Sequence, residues 1–123
     1  MSFALPPEDH APGSYSNLDV LLRRQLELST RKHFFEACDG STQSLLMECD
    51  WDMSVAEALL LVIHCPDVLT NWRMLNRMTQ MAETLSQFSP MAKIRICPPT
   101  GEGDPFDMRV DERSEYRDGP QSP

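Results

Sequence analysis

Leucines recur along residues 16–30 with the period of an α-helix. The apolar positions are Leu18, Leu21, Leu22, Leu26 and Leu28. The opposite face carries Arg23, Arg24, Glu27 and Arg31. Spacings of three and four residues place side chains on one helix face, which then turns toward the core. Because Ser16 is a suitable N-cap, we predict an amphipathic helix from Ser16 to at least Thr30, with its leucines packed inside.

The pattern over residues 33–49 fits two structures. The first helix could continue through Phe34 and Phe35 and end at Gly40, since glycine favours helix ends. Alternatively, residues 33–38 and 42–49 are two strands. Asp39-Gly40 between them is a strong hairpin signal, because the tight turn requires positive φ at both central residues. We favour the hairpin.

Two further helices are predicted in the middle of the chain. Ser54-Val-Ala-Glu57 matches a capping box, and residues 58–63 are all apolar, as in an enclosed helix. Pro66 would end this helix and start the next one. The next helix should run to about Phe88, because apolar residues recur there every three or four positions.

After Pro90 the period shortens to two, which is typical of half-buried strands. Residues 93–97 and 106–111 alternate polar and apolar side chains, and a turn-rich segment, 98–105, joins them. We therefore predict an α+β fold with three helices packed on a small antiparallel sheet. The alternative is a three- or four-helix bundle with a C-terminal β arm.

Composition divides the chain into one domain with two tails. Residues 1–15 and 111–123 are rich in proline, glycine or mixed charge and lack an apolar period, so both ends are predicted to be flexible. The globular domain is predicted over residues 16–110. A chain of 123 residues is too short for an eight-fold β/α barrel, which takes roughly 250 residues.

Net charge and targeting signals limit the classes of partner and the cellular compartments that we expect. Net charge is −8 from 19 acidic and 11 basic residues, which argues against a protein that grips nucleic-acid phosphates. We expect no signal peptide and no membrane insertion, since the longest apolar run is only Ala58–Ile63. With no Cys-x-x-Cys motif, free thiols and a cytoplasmic location are expected.

The residues that could carry chemistry form no recognisable catalytic motif. No cofactor, metal or catalytic residue is predicted, because soft ligands lack the close paired spacing of structural zinc sites and Cys65 lacks a triad-like partner set. A redox- or metal-responsive switch is the alternative function. It would use Cys38, Cys49, His64, Cys65 and Cys97.

Two features favour protein–protein interaction. Residues 41–65 carry four acids and no base, so half of the net charge surrounds Trp51, and Asp50 and Asp52 complete a candidate docking edge. The predicted third helix has two apolar stripes, which together make a face wider than one neighbour needs. Its candidate contact residues are Trp72, Met74, Met78, Met81 and Phe88.

These observations favour a small, acidic, cytoplasmic adaptor or regulatory protein. It would act through a protein partner and associate with itself, using methionine-rich surface that adapts to its neighbour. An enzyme is the weaker hypothesis, because no sequence feature points to a polar pocket with perturbed titratable groups. Nothing in the sequence indicates the identity of the partner.

Overall fold

A computed structural model describes residues 15–112, which form four helices, a four-stranded sheet and a closing 3-10 turn. The helices are α1 (Tyr15–Ala37), α2 (Gly40–Met47), α3 (Val68–Leu75) and α4 (Met78–Leu85). The strands are β1 (Asp50–Val55), β2 (Leu59–His64), β3 (Lys93–Cys97) and β4 (Phe106–Arg109). The 3-10 turn is Val110–Glu112. The tails predicted at 1–15 and 111–123 lie outside the described residues, except that residue 15 is helical and residues 111–112 belong to the 3-10 turn.

The sheet has the order β1-β2-β3-β4. β1 pairs with β2 and β3 pairs with β4 in antiparallel fashion, whereas β2 and β3 run parallel. The predicted class, helices packed with a small sheet, is confirmed, and the all-α bundle is wrong. The sheet is mixed rather than purely antiparallel, because α3 and α4 return the chain to the same end of the sheet before β3 begins.

The helix predicted after Ser54 is wrong: residues 59–64 form β2, in the middle of the sheet. Leu59, Leu61 and Ile63 are buried, and the alternate residues between them are half-buried. Both faces of this strand are at least half-buried over residues 59–63, so an unbroken apolar run suits it as well as it suits an enclosed helix. Ser54-Val-Ala-Glu57 therefore forms the end of β1 and the turn into β2.

The hairpin favoured for residues 33–49 is also wrong. α1 continues through Phe34 and Phe35 to Ala37, and α2 begins at Gly40. Asp39 is the N-cap of α2, because its carboxylate accepts a 2.8 Å hydrogen bond from the Thr42 amide. Aspartate followed by glycine serves here to start a helix.

The long helix predicted from Pro66 to Phe88 is two short helices. Asp67 caps α3 by accepting a 2.7 Å hydrogen bond from the Thr70 amide, so Pro66 lies before the cap. The helix breaks at Asn76 and Arg77, and α4 ends at Leu85.

The core lies between one face of the sheet and the helices. Its largest fully buried side chains include Phe34, Leu46, Met53, Leu61, Ile63, Met74, Met81, Leu85, Ile94, Ile96, Met108 and Val110. The two strands predicted from the two-residue period are confirmed as β3 and the shorter β4. Their other face is polar, and Arg95 binds the carboxylate of Asp107 there through two hydrogen bonds of 2.8 and 3.0 Å. Within residues 15–112, no helix combines the length and apolar character that crossing a membrane requires.

Candidate interaction surface

Helix α1 presents a row of leucines to solvent. We call this row the leucine surface, and its residues are Leu18, Leu21, Leu22, Leu26 and Leu28. Between 49% and 64% of each residue is exposed. Scattered exposed leucines are ordinary, whereas a contiguous apolar patch marks an interaction site. The prediction that these leucines pack into the core of their own domain is therefore wrong.

The leucine surface lies on the side of α1 that points away from the sheet. With about 100° of rotation per residue, the five leucines span an arc of roughly 160°. Glu27 and Phe34, which are buried, lie on the opposite side of the helix. The N-terminal part of α1 also extends beyond the sheet, because β1 ends at Val55, next to Glu27.

Polar side chains of α1 hold the helix along the outer edge of β1. Glu27 accepts a 2.7 Å hydrogen bond from the amide of Val55. Arg31 donates to the carbonyl of Trp51 at 3.2 Å, and Arg24 lies 3.5 Å from the carbonyl of Met53. These three backbone groups belong to alternate residues of β1 and point away from β2. Because β1 is an edge strand, no neighbouring strand within residues 15–112 pairs with them. The helix thus covers this edge with its charged face and leaves its leucines outside.

Trp51, predicted as the centre of an acidic docking edge, is half-buried in the contact between α1 and β1. Phe35 stacks on its ring with centroids 6.1 Å apart, and the Arg31 guanidinium lies 4.1 Å from the ring centroid. Asp52 is paired with Arg24 at 3.0 Å, and Arg31 lies 3.7 Å from the same carboxylate. Asp50 remains exposed. The arginines of α1 thus neutralise part of the predicted acidic edge.

The structure separates the predicted methionine-rich surface into core and exposed residues. Met74, Met78 and Met81 are at most 4% exposed, because the break at 76–77 lets α3 and α4 each turn an apolar face inward. Phe88 is partly exposed and makes an edge contact with Phe34. Trp72 is 61% exposed on α3. The three methionines therefore belong to the core, and of these predicted contact residues only Trp72 and part of Phe88 remain exposed.

The cysteines lie close to one end of the sheet, apart from Cys38 at the end of α1. Cys38, Cys65 and Cys97 are buried, Cys49 is half-buried, and all four are free thiols. His64 is exposed. Among the residues that the structure describes, no three histidine, cysteine or carboxylate groups are placed to hold a metal ion.

A shallow groove of about 500 Å³ runs between α1 and α2 beside Trp51. Apolar side chains of Phe35, Leu46 and Met47 line it, with Arg31 and Lys32 at its border. This groove lies near the C-terminal half of α1, whereas the leucine surface occupies the N-terminal half. Comparisons with protein-family models, curated proteins and solved structures gave no match.

The sequence contained a signal for the leucine surface that our prediction did not use. Glu27, Phe34 and Cys38 form a stripe with spacings of seven and four residues, on the side of the helix opposite Leu18 and Leu22. Helix α1 therefore has a leucine face in its N-terminal half and a second apolar face, formed by Phe34 and Cys38, near its C-terminal end, and the domain covers only the second.

Proposed function

We propose that this chain is a non-catalytic, cytoplasmic interaction protein that self-associates through the leucine surface of α1. The observation that carries the proposal is the position of five half-exposed leucines on the side of the helix that faces away from its own domain. Burying such a patch against another apolar surface is favourable, because it removes apolar area from water.

The charge distribution supports a second copy of the same chain as the occupant. Residues 16–40 contain four acidic and four basic side chains, so the entire net charge of −8 lies elsewhere in the sequence. Two copies can therefore bring their α1 helices together without strong local repulsion. Along the helix, Asp19 is already paired with Arg23 at 2.6 Å.

The leucine spacing suits an antiparallel pair of helices. Leu18, Leu22 and Leu26 are four residues apart. A two-fold axis through Leu22 would place Leu22 against its own copy and Leu18 against Leu26. Such an interface uses the same patch on both subunits, which is the usual arrangement in homodimers.

The expected affinity is modest. Full burial of a leucine contributes about 2 kcal/mol, so burying the exposed half of each side chain contributes about 1 kcal/mol. Ten leucines across a dimer give about 10 kcal/mol, against an association cost of about 4 kcal/mol or more. At most about 6 kcal/mol remains, so we expect a dissociation constant between about 40 μM and 1 mM.

Sedimentation velocity of the full chain over that concentration range tests the proposal. The wild type should shift from monomer to dimer, and the variant Leu18→Ala/Leu22→Ala/Leu26→Ala should remain monomeric. Alanine has the highest helix propensity, so α1 should stay helical by circular dichroism. Leu69→Ala is the matched control, because Leu69 is 62% exposed on a different helix. A wild type that stays monomeric, or a triple variant that dimerises equally well, refutes the proposal.

A further inference from the structure

Cys49 and Cys65 flank the same end of the β1–β2 pair. The last register pair of these strands is Asp50 with His64. Cys49 immediately precedes Asp50 and Cys65 immediately follows His64, so the register continued by one residue brings the two cysteines opposite each other. Both side chains point to the core side, because Trp51 and Ile63, two residues further on, face the core as well.

Opposite residues in antiparallel strands have the spacing that a disulfide needs. Their Cα atoms are about 4.5–5.5 Å apart, and disulfide-bonded cysteines have Cα separations of about 4.4–6.8 Å. Each thiol also shifts the pKa of the other, because the two groups lie close together.

We propose that Cys49 and Cys65 are a redox-active pair that forms a reversible disulfide with small-molecule disulfides such as oxidised glutathione. This site is independent of the leucine surface, which lies on the N-terminal half of α1. The bond would join the start of β1 to the end of β2, and thereby tie the end of α2 to the segment that enters α3.

The two cysteines differ in exposure, and this difference sets the order of the steps. Cys65 is only 5% exposed, whereas Cys49 is half-buried and can meet a solute. The neighbouring Cys49 thiol lowers the pKa of Cys65, although burial opposes this effect. The Cys65 thiol, together with burial, raises the pKa of Cys49.

In the first step the Cys49 sulfur, after losing its proton, attacks one sulfur of the glutathione disulfide and releases one glutathione thiolate. In the second step the Cys65 thiolate attacks the Cys49 sulfur and releases the second glutathione thiolate. The two protons lost by the protein thiols are taken up by the two leaving thiolates. Two protein thiols are oxidised, and one glutathione disulfide is reduced to two thiols.

The remaining cysteines serve as internal controls. Burial raises the pKa of Cys38 to about 11 and also raises the pKa of Cys97. Neither thiol is placed to join the pair: Cys38 lies at the end of α1, and Cys97 is opposite His64 in the β2–β3 register, so its side chain lies on the other face of the sheet from Cys65. We therefore expect Cys38 and Cys97 to remain reduced while the pair is oxidised.

Peptide mapping after incubation with oxidised glutathione tests the proposal on the full chain. A glutamate-specific protease should place each cysteine on its own peptide, 37–48, 49–57, 58–83 and 84–102. Mass spectrometry should then detect a disulfide between peptides 49–57 and 58–83, loss of two free thiols per chain, and recovery of both with dithiothreitol. Cys38→Ala and Cys97→Ala should give the same disulfide.

Single substitutions within the pair separate the two steps. Cys65→Ala should trap a mixed disulfide of glutathione on Cys49, and Cys49→Ala should leave Cys65 unmodified. Should Cys65→Ala fail to fold, Cys49→Ala and the wild-type map still decide the question. A disulfide that involves Cys38 or Cys97, a linkage between two chains, or four free thiols after oxidation overturns the proposal.

Discussion

Glu27 is a carboxylate buried in the contact between α1 and the edge of β1, and its replacement gives a sharp test of how the helix is attached. Only 8% of the residue is exposed. One oxygen accepts the Val55 amide at 2.7 Å, and the other accepts Arg24 at 2.9 Å. A hydrogen bond to a charged group contributes about 1.5–3 kcal/mol. We therefore expect Glu27→Ala to lower the free energy of unfolding by about 2–3 kcal/mol.

Glu27→Gln should have an intermediate effect of about 1 kcal/mol, because the amide oxygen still accepts the Val55 N–H but carries no charge. Glu36→Ala is the control, since this carboxylate lies on the same helix with its side chain 56% exposed. Its effect should stay within about 0.5 kcal/mol.

Urea denaturation followed by tryptophan fluorescence measures all three variants, and thermal unfolding provides a second readout. For a domain of this size the loss predicted for Glu27→Ala lowers Tm by about 10–20 °C. If Glu27→Ala unfolds at the same urea concentration as Glu36→Ala, the carboxylate does not anchor α1 to β1.

Three further predictions concern the core, the cysteine pair and the N-caps. Met81 is buried, so Met81→Ala should lower the free energy of unfolding by about 2–5 kcal/mol. Trp72 is exposed, so Trp72→Ala should change the free energy of unfolding by less than about 1 kcal/mol. Equal effects of the two variants in urea denaturation would contradict the placement of the methionine in the core. Oxidation of Cys49 and Cys65 closes a short loop and should raise the free energy of unfolding by about 3 kcal/mol, measured as a higher urea midpoint that dithiothreitol reverses; an unchanged midpoint would contradict it. The Thr70 amide donates a hydrogen bond to the Asp67 carboxylate and holds its pKa below the ordinary value of 3.8. The charged cap therefore stabilises the fold fully above that value, and this contribution is lost as the pH falls through the lower pKa of the folded state. Asp67→Asn keeps a good N-cap without the titration, and its urea midpoint should fall less than that of the wild type under acid; parallel curves would refute this.

Alternation along the sequence predicted the last two strands because one of their faces is solvated. Ile94 and Ile96 are buried and Arg95 is half-exposed, so the polar and apolar positions differ clearly. The central strand lacks this contrast, since Leu60 and Val62 are half-buried on its second face. Only its pairing with strands on both sides distinguishes β2 from an enclosed helix, and that pairing depends on residues about thirty positions away in sequence.

The candidate interaction surface was harder to predict than the fold class. The apolar stripe at Leu18, Leu22 and Leu26 has the ordinary spacing of a core-facing helix. The tertiary structure assigns the core to Phe34, on the other side of α1, because a buried Glu27 binds the edge of β1. A buried glutamate is uncommon without a partner, and the sequence does not show that the Val55 amide is available to it.

The parallel pairing of β2 with β3 has a consequence for synthesis on the ribosome. β2 ends at residue 64, and its second neighbour is complete only at residue 97. At about 5–20 residues per second the ribosome takes about 2–7 s to make the 33 residues between them. Until that interval has passed, Leu61 and Ile63 have no β3 to pair with, so one edge of the most apolar strand stays open.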